Sequence, residues 1–324
     1  MSLSDFLKEW NNSADTVLVH TSGSTGAPKT LLVEKRRMLA SARMTCDFLN
    51  LQTGQTALLC MSLDYIGAKM MVVRAIERNL RLIEVEPTGH PLANISDAID
   101  FAAMVPLQVY NSLQEPDERK KLMNIRNLII GGGAIDNSLQ SELNNFPNAV
   151  WSTYGMTETL SHIALRRLNG PLASEWYTPL GGVSVGLSAN GCLTIDAPHL
   201  SDSTLITNDI AELNSTGGFR ILGRADNVIN SGGVKIQIEE VERMLLDYGI
   251  DNVAVSCCSD EKFGQVVVFV TTRNTNDKAL NNAISLLPKY WQPKHIVKVD
   301  AIPMAGNGKI ARGEVRRIAE RLNG

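Results

Sequence analysis

Cysteine, strong net charge of either sign and long apolar runs are all scarce in this 324-residue chain. Its five cysteines, at 46, 60, 192, 257 and 258, form neither an even disulfide framework nor paired CxxC motifs, so a disulfide scaffold and a zinc ribbon are not expected. They read as reduced thiols, with Cys257 and Cys258 as small core residues of a strand. No apolar segment reaches the length of a membrane span, and Met1-Ser2-Leu3-Ser4-Asp5-Phe6 lacks the basic-then-apolar order of a secretory leader. A cytoplasmic location is the expectation. The formal charge is only −3, with lysine and arginine dispersed along the chain, so nucleic acid is not an expected partner. No repeat or low-complexity tract is evident.

What the chain does have is a hydrophobic content of 44%, enough to build a sizeable core and, at this length, two domains. It also has one stretch that suits a phosphate group, His20-Thr21-Ser22-Gly23-Ser24-Thr25-Gly26-Ala27-Pro28-Lys29-Thr30. Glycines allow close backbone approach, hydroxyls and N–H groups can surround phosphate oxygens, and Lys29 adds positive charge. Asp15-Thr16-Val17-Leu18-Val19-His20 before it is β-branched and apolar, so the loop leaves the end of a strand. Pro28 stands where a P-loop needs glycine; lacking an N–H and fixing φ, it argues against a loop that opens directly into a helix. A flexible Ser/Gly surface loop is the plainer alternative.

Downstream, the pattern predicts an amphipathic helix over 31–50 with Lys35-Arg36-Arg37 on its solvent face, a strand over 56–61, an apolar helix over 70–76 and a strand over 80–85. It continues with a helix over 95–105, a strand over 107–110, and a strand over 127–130 that runs into Gly131-Gly132-Gly133. A helix over 138–143 and a strand over 149–152 then deliver Thr153-Tyr154-Gly155-Met156-Thr157-Glu158-Thr159. Alternating strands and helices predict an α/β domain with a largely parallel sheet. In such sheets ligands gather at the carboxyl ends of strands, so the two polar loops are expected to share one crevice. The triple glycine also suits an ordinary tight turn. From about 176 the texture becomes glycine-punctuated β, with strands at 192–195 and 219–222. Beyond Asp226 a small α+β unit is predicted, with strands at 253–256, 266–271 and 296–299 and helices at 238–246 and 278–286. The domains are therefore placed at 1–225 and 226–324.

Five segments, in order, resemble the motifs of the adenylate-forming superfamily of acyl-CoA synthetases, peptide-synthetase adenylation domains and luciferases. Thr21–Lys29 resembles its phosphate loop and Tyr154-Gly155-Met156-Thr157-Glu158 its second core motif. Thr207-Asn208-Asp209 resembles its ribose motif, Gly223-Arg224-Ala225-Asp226 its hinge, and Pro303-Met304-Ala305-Gly306-Asn307-Gly308-Lys309-Ile310 its C-terminal lysine motif. The resemblance covers residues 20 to 312. It departs from the family pattern at Asn208 and Asn227, and in having only about twenty residues before the phosphate loop. It implies a large N-terminal α/β domain lacking part of its front subdomain, and a small mobile α+β C-terminal domain. Within the superfamily, the short front and the run Trp151–Ala164 look most like o-succinylbenzoate–CoA ligases of menaquinone biosynthesis.

The activity so implied is ATP-dependent conversion of a carboxylic acid to an acyl-adenylate, then transfer to CoA, with ATP, Mg2+ and CoA as cofactors. Thr21, Ser22, Gly23, Ser24, Thr25, Gly26 and Lys29 would hold the β- and γ-phosphates, with Thr157 at the α-phosphate and Glu158 on Mg2+. Gly131, Gly132 and Gly133 would admit adenine and the acyl group, with Tyr154 stacked on the purine. Asp209 would accept from the ribose hydroxyls, with Arg224 beside it. Ser231, Gly232 and Gly233 would line the CoA channel, Asp226 would be the hinge, and Lys309 would act in adenylation only. A second carboxylate on the acid would need a cation or donors, for which Lys69, Arg74, Ser161 and His162 are candidates. Arg74 is equally compatible with surface charge, and His162 with a satisfied core histidine. A CoA ligase for another acid and a non-catalytic nucleotide sensor remain alternatives, and a homodimer stays open.

Overall fold

The structure is a computed structural model, and it describes residues 1–20, 30–133, 135, 137–304 and 310–321. The chain starts with helix α1 (Leu3–Asn11), capped by Ser2, whose hydroxyl accepts from the Asp5 amide. Strands β1 (Thr16–His20) and β2 (Thr30–Glu34) pair antiparallel, with His20 opposite Thr30, so they form the base of the 21–29 segment. Residues 31–34 were expected to be helical. Their Leu-Leu-Val run prefers the ladder with β1, and helix α2 (Lys35–Phe48) starts only after it.

The larger sheet is built from β3 (Thr56–Leu59), β4 (Arg81–Glu84), β5 (Phe101–Met104), β6 (Asn127–Ile130), β7 (Ala149–Gly155), β8 (His162–Arg167) and β9 (Thr178–Pro179). Its order is β4-β3-β5-β6-β7-β8-β9, parallel from β4 to β7 and antiparallel from there to β9. Helix α3 (Ile66–Arg78) packs on α2 and β3. Helices α4 (Pro106–Gln114), α5 (Pro116–Asn124) and α6 (Asn137–Leu143) contribute Val109, Leu113, Leu122, Leu139 and Leu143 to a core shared with Leu58, Met104, Leu128, Ile130 and Val150 of the strands. Two expectations are reversed here. The predicted 95–105 helix contains the fully buried strand β5, and the predicted 107–110 strand lies inside α4. Pro106 explains the second reversal, because proline suits the first helical position, where its missing N–H costs nothing.

Strands β10 (Ser184–Leu187), β11 (Cys192–Asp196), β12 (Leu205–Leu213) and β13 (Phe219–Arg224) form a four-stranded sheet in that order. After it come β14 (Val228–Ser231), β15 (Val234–Gln237), α7 (Ile238–Asp247), β16 (Val253–Asp260), β17 (Gly264–Thr272), α8 (Asp277–Leu286), β18 (His295–Val299) and α9 (Arg312–Glu320). Their sheet runs β15-β14-β17-β16, with β18 parallel on β17. One face carries Val253, Val255 and Cys257 into a core with Val241, Leu245 and Leu280; Ala254 and Cys258 are buried with Val315 and Ala319 of α9. The two-residue period of a strand thus sends adjacent Cys257 and Cys258 into different cores, where neither can meet the other. All five cysteines are buried, and none forms a disulfide.

Two compact units result. The first is Met1–Gly186 with Thr194–Leu205 and Leu213–Arg220; the second is Leu187–Leu193, Ile206–Glu212 and Ile221–Gly324. Among the described residues no helix is long and apolar enough to cross a membrane.

Candidate functional site

In the first unit, two glycine-bearing loops leave the carboxyl ends of neighbouring parallel strands. Gly131-Gly132-Gly133 follows β6, and Tyr154-Gly155 closes β7 before Met156-Thr157-Glu158. Gly131 is required by its neighbour, since a Cβ there would lie 2.2 Å from the Thr153 hydroxyl. Gly132 has φ +78, a conformation side chains rarely adopt. Gly155 is the most constrained of all: a Cβ would meet the Ser161 carbonyl oxygen at 2.4 Å and His162 Cα at 2.5 Å. The register of β7 on β8 shifts at this point, between Tyr154 and Gly155.

Thr157–Thr159 form a short 3-10 turn that leaves Thr157 half-buried and Glu158 exposed. The Thr159 side chain locks the turn, accepting from the Met156 amide at 3.0 Å while its hydroxyl lies 3.0 Å from the Met156 carbonyl and 2.8 Å from that of Ser161. Glu158 thus stands at the strand end as an oxygen ligand of the kind a hard cation prefers. No group of three or more His, Cys, Asp or Glu suited to a metal occurs among the described residues, so a Mg2+ here needs oxygens from its ligand and water. Tyr154 lies in an aromatic cluster, edge-on to Phe219 at 5.0 Å and 5.8 Å from Tyr177.

Behind these loops lies a buried polar chain. Arg74 Nη2 donates to Ser161 Oγ at 2.7 Å, Ser161 Oγ lies 3.4 Å from His162 Nδ1, and His162 Nε2 lies 3.0 Å from Thr45 Oγ1. Thr45 donates to the Ser41 carbonyl, so its oxygen accepts from His162; this assigns the proton to Nε2. Burial, reinforced by the Arg74 charge, holds His162 well below its usual pKa, and burial pushes Arg74 down to about 10. Lys69 lies apart from this chain. Its ammonium donates to the Leu18 carbonyl beneath the Phe6 ring, 5.6 Å from the centroid, and burial lowers its pKa. On the same residue the Leu18 amide donates to Glu9 at 2.9 Å, so helices α1 and α3 secure the edge of β1 that β2 leaves open. Three of the four residues expected to contact the acid are therefore enclosed: Lys69 is 1% exposed, Arg74 2% and His162 6%. Only Ser161 is partly open.

In the second unit, Asp209 on β12 has its amide held by the Thr207 hydroxyl, and its carboxylate lies 3.4 Å from Arg224 at the end of β13. Arg224 forks onto Asp226 with Nε and Nη2 at 2.9 and 3.0 Å. That hydrogen-bonded pairing lowers the Asp226 pKa and raises that of Arg224. Ser231 ends β14, and Gly232 and Gly233, with φ +58 and +85, form the two-residue turn to β15. The phosphate-loop residues Thr21, Ser22, Gly23, Ser24, Thr25, Gly26 and Lys29 lie outside the described residues, as does Lys309. The base of the segment bearing Lys309 is described: Met304 bridges Ile310, and Arg312 makes a two-pronged ion pair with Glu242, each contact 2.6 Å. Sequence reasoning missed the Glu242–Arg312 pair, the Thr159 lock and the backbone contact that demands Gly155; only the glycine itself was a visible signal.

The chain is similar to a solved acyl-CoA synthetase (AMP-forming)/AMP-acid ligase II-like protein from Dyadobacter fermentans DSM 18053. The two are 35% identical with a TM-score of 0.68, over 96% of this chain and 92% of that one. A 2-succinylbenzoate–CoA ligase of Bacillus cereus (strain ATCC 10987 / NRS 248) is 24% identical over 97% of this chain and 72% of its own length. The fold is also that of o-succinylbenzoate coenzyme A synthetase from Bacillus subtilis in complex with ATP and magnesium, with a TM-score of 0.73 at 22% identity over 92% of this chain and 69% of that one. Fold and relatives together define the class as adenylate-forming enzymes, specifically AMP-forming acid–CoA ligases. The chain belongs to the AMP-binding enzyme family, which matches residues 6–188.

Proposed function

We propose that this enzyme activates o-succinylbenzoate with ATP and transfers the acyl group to CoA. In the first half-reaction a carboxylate oxygen attacks the α-phosphorus, the bond to the β-phosphate bridge breaks, and pyrophosphate leaves. In the second, the CoA sulfur attacks the acyl carbon, the bond to the AMP oxygen breaks, and the thiol proton passes to solvent. The observation that carries this reading is the Thr157–Glu158 turn at the carboxyl end of β7 beside the glycine loop of β6. There Thr157 would donate to the α-phosphate, and the exposed Glu158 carboxylate would hold Mg2+, which supplies neutralising charge when bound with ATP.

Segment 21–29, carried between β1 and β2, would take the β- and γ-phosphates, and Gly131–Gly133 would let adenine and the acyl chain approach the backbone. Asp209 would receive the ribose hydroxyls, with Arg224 orienting it. Lys309 would serve adenylation, and Ser231-Gly232-Gly233 would border the pantetheine path after a rotation near Asp226, with domains at 1–225 and 226–324. On the acid side, Ser161 is the contact we propose for the second carboxylate. Lys69 belongs instead to the support of β1, since its ammonium is enclosed and already bonded to Leu18.

The test is a panel of o-succinylbenzoate, benzoate and a medium-chain fatty acid, assayed for AMP and pyrophosphate with and without CoA. The proposal requires acid-dependent AMP release, with the highest kcat/KM for the diacid. Equal values for benzoate and o-succinylbenzoate would remove the substrate assignment. Nucleotide binding without acid-dependent pyrophosphate would favour a sensor.

A further inference from the structure

Leu160 is in a backbone conformation that the adenylation reading leaves unexplained. Its φ is +64 and its ψ −38, and the Ser161 amide donates to the Thr159 carbonyl at 2.7 Å, closing a three-residue turn of the rare, positive-φ kind. The other non-glycine residues described with positive φ are Asn50 and Asn79, a residue type that tolerates it. A buried leucine does so only where its surroundings over-determine it.

Those surroundings are on hand. The Thr159 hydroxyl fastens the turn from one side, and the Leu160 amide donates to the Thr157 carbonyl at 2.9 Å. From the other side Arg74 donates to the Ser161 hydroxyl at 2.7 Å. Arg74 is itself anomalous. It is 2% exposed, its second amino group meets only the Met71 sulfur at 3.8 Å, its Nε has no partner, and no carboxylate pairs with it among the described residues. An enclosed cation without a counter-ion is costly, so stability does not account for its presence.

We propose that Arg74 is a positioning residue for adenylation: by holding Ser161 it keeps Leu160 in the strained turn, which fixes the direction in which Thr157 and Glu158 leave β7. It acts through Ser161 and does not touch the acid or the nucleotide. The inference rests on the assignment of Thr157 and Glu158 to the reacting phosphate.

The experiment compares Arg74→Met, Arg74→Lys, Ser161→Ala and the Arg74→Met/Ser161→Ala double variant. It measures kcat and the KM values for ATP and the acid in acid-dependent AMP formation, and the urea unfolding midpoint of the free protein. Arg74→Met should lower kcat about 10- to 100-fold, as a misdirected catalytic group does, with the ATP KM within about threefold and the urea midpoint unchanged or raised. Ser161→Ala should lower kcat to a similar degree, the double variant should be no worse than the poorer single one, and Arg74→Lys should recover at least part of the loss. A wild-type kcat in Arg74→Met, or losses that multiply in the double variant, would overturn the proposal. So would a fall in kcat that simply follows a lowered urea midpoint. If Arg74→Met does not fold, Ser161→Ala decides through the acid KM: a fall in kcat with that KM unchanged supports positioning, whereas a raised acid KM with kcat kept assigns the effect to the acid contact and overturns the proposal. A wild-type protein that forms no AMP would instead defeat the underlying assignment.

Discussion

Replacing Gly155 by alanine puts a single methyl group where β7 meets the backbone of β8. The new Cβ would lie 2.4 Å from the Ser161 carbonyl oxygen, 2.5 Å from His162 Cα and 2.8 Å from the Ser161 carbonyl carbon. Ordinary contact begins near 3.4 Å, so the two segments must part by about 1 Å (3.4 − 2.4). All three neighbours are backbone, so no side chain can rotate away. Overpacking of this kind costs about 2–3 kcal/mol. Glu158 lies between the two segments that separate, and a displacement near 1 Å at a reacting group costs on the order of 10²-fold in rate. Urea unfolding would read the first effect and pyrophosphate release the second. Gly181→Ala is the control: the residue is exposed, its φ is not positive and nothing lies within 4 Å of the new methyl, so stability should change by less than about 0.5 kcal/mol. A Gly155→Ala protein with wild-type midpoint and wild-type rate would refute the reasoning.

Four further outcomes are expected. Glu242→Gln weakens the fork to Arg312, which closes the base of the Lys309 segment; it should cost about 2 kcal/mol by urea unfolding and lower adenylation, while thioester formation from supplied acyl-adenylate persists. The same split between half-reactions, without loss of stability, is expected of Lys309→Ala. His162 has its folded pKa depressed by burial, so its contribution is fully present above the unfolded value of 6.5 and is lost as pH falls below it, because the unfolded chain takes up the proton first. The slope from this group approaches about 1.4 kcal/mol per pH unit, and urea midpoints from pH 7.5 to 5 should fall more steeply in the wild type than in His162→Gln. Asp226→Pro fixes φ and removes an N–H at the proposed hinge, so it should retain adenylation and lose thioester formation; two wild-type half-reactions would place the rotation elsewhere.

Where the sequence was explicit, it was so for physical reasons. Strands β3 and β6 are short, largely apolar runs bounded by polar or turn residues, β4 sits in a stretch that mixes apolar and charged residues, and the order of the five motif segments points to the superfamily. Phe101-Ala102-Ala103-Met104 carries no period that separates a buried strand from a helix, and the helix expected there is strand β5. Residues 30–34 became β2 because β1 supplied a partner that local pattern does not reveal. Helices α1, α5 and α9 went unread beneath their charged faces; α5 buries only Glu118 and Leu122.

The candidate site divides along the same line. Residue types carry chemistry, so Glu158, Asp209 and Arg224 could be named from sequence, and the structure sets Arg224 beside both Asp209 and Asp226. Burial is a property of the packed chain, and no local feature separates Lys69, enclosed under Phe6, from a lysine lining a pocket. A positive φ at Leu160 has no signature either, because leucine does not favour that conformation.

The central claim, attack of a carboxylate on the α-phosphorus, is tested most directly with an acid whose reacting carboxylate carries 18O. Incubation with ATP, Mg2+ and CoA, followed by mass spectrometry of the nucleotide, should show AMP heavier by one 18O, because the bridging oxygen of the adenylate leaves with AMP when sulfur attacks the acyl carbon. ADP with label in inorganic phosphate, or unlabelled AMP, would contradict it.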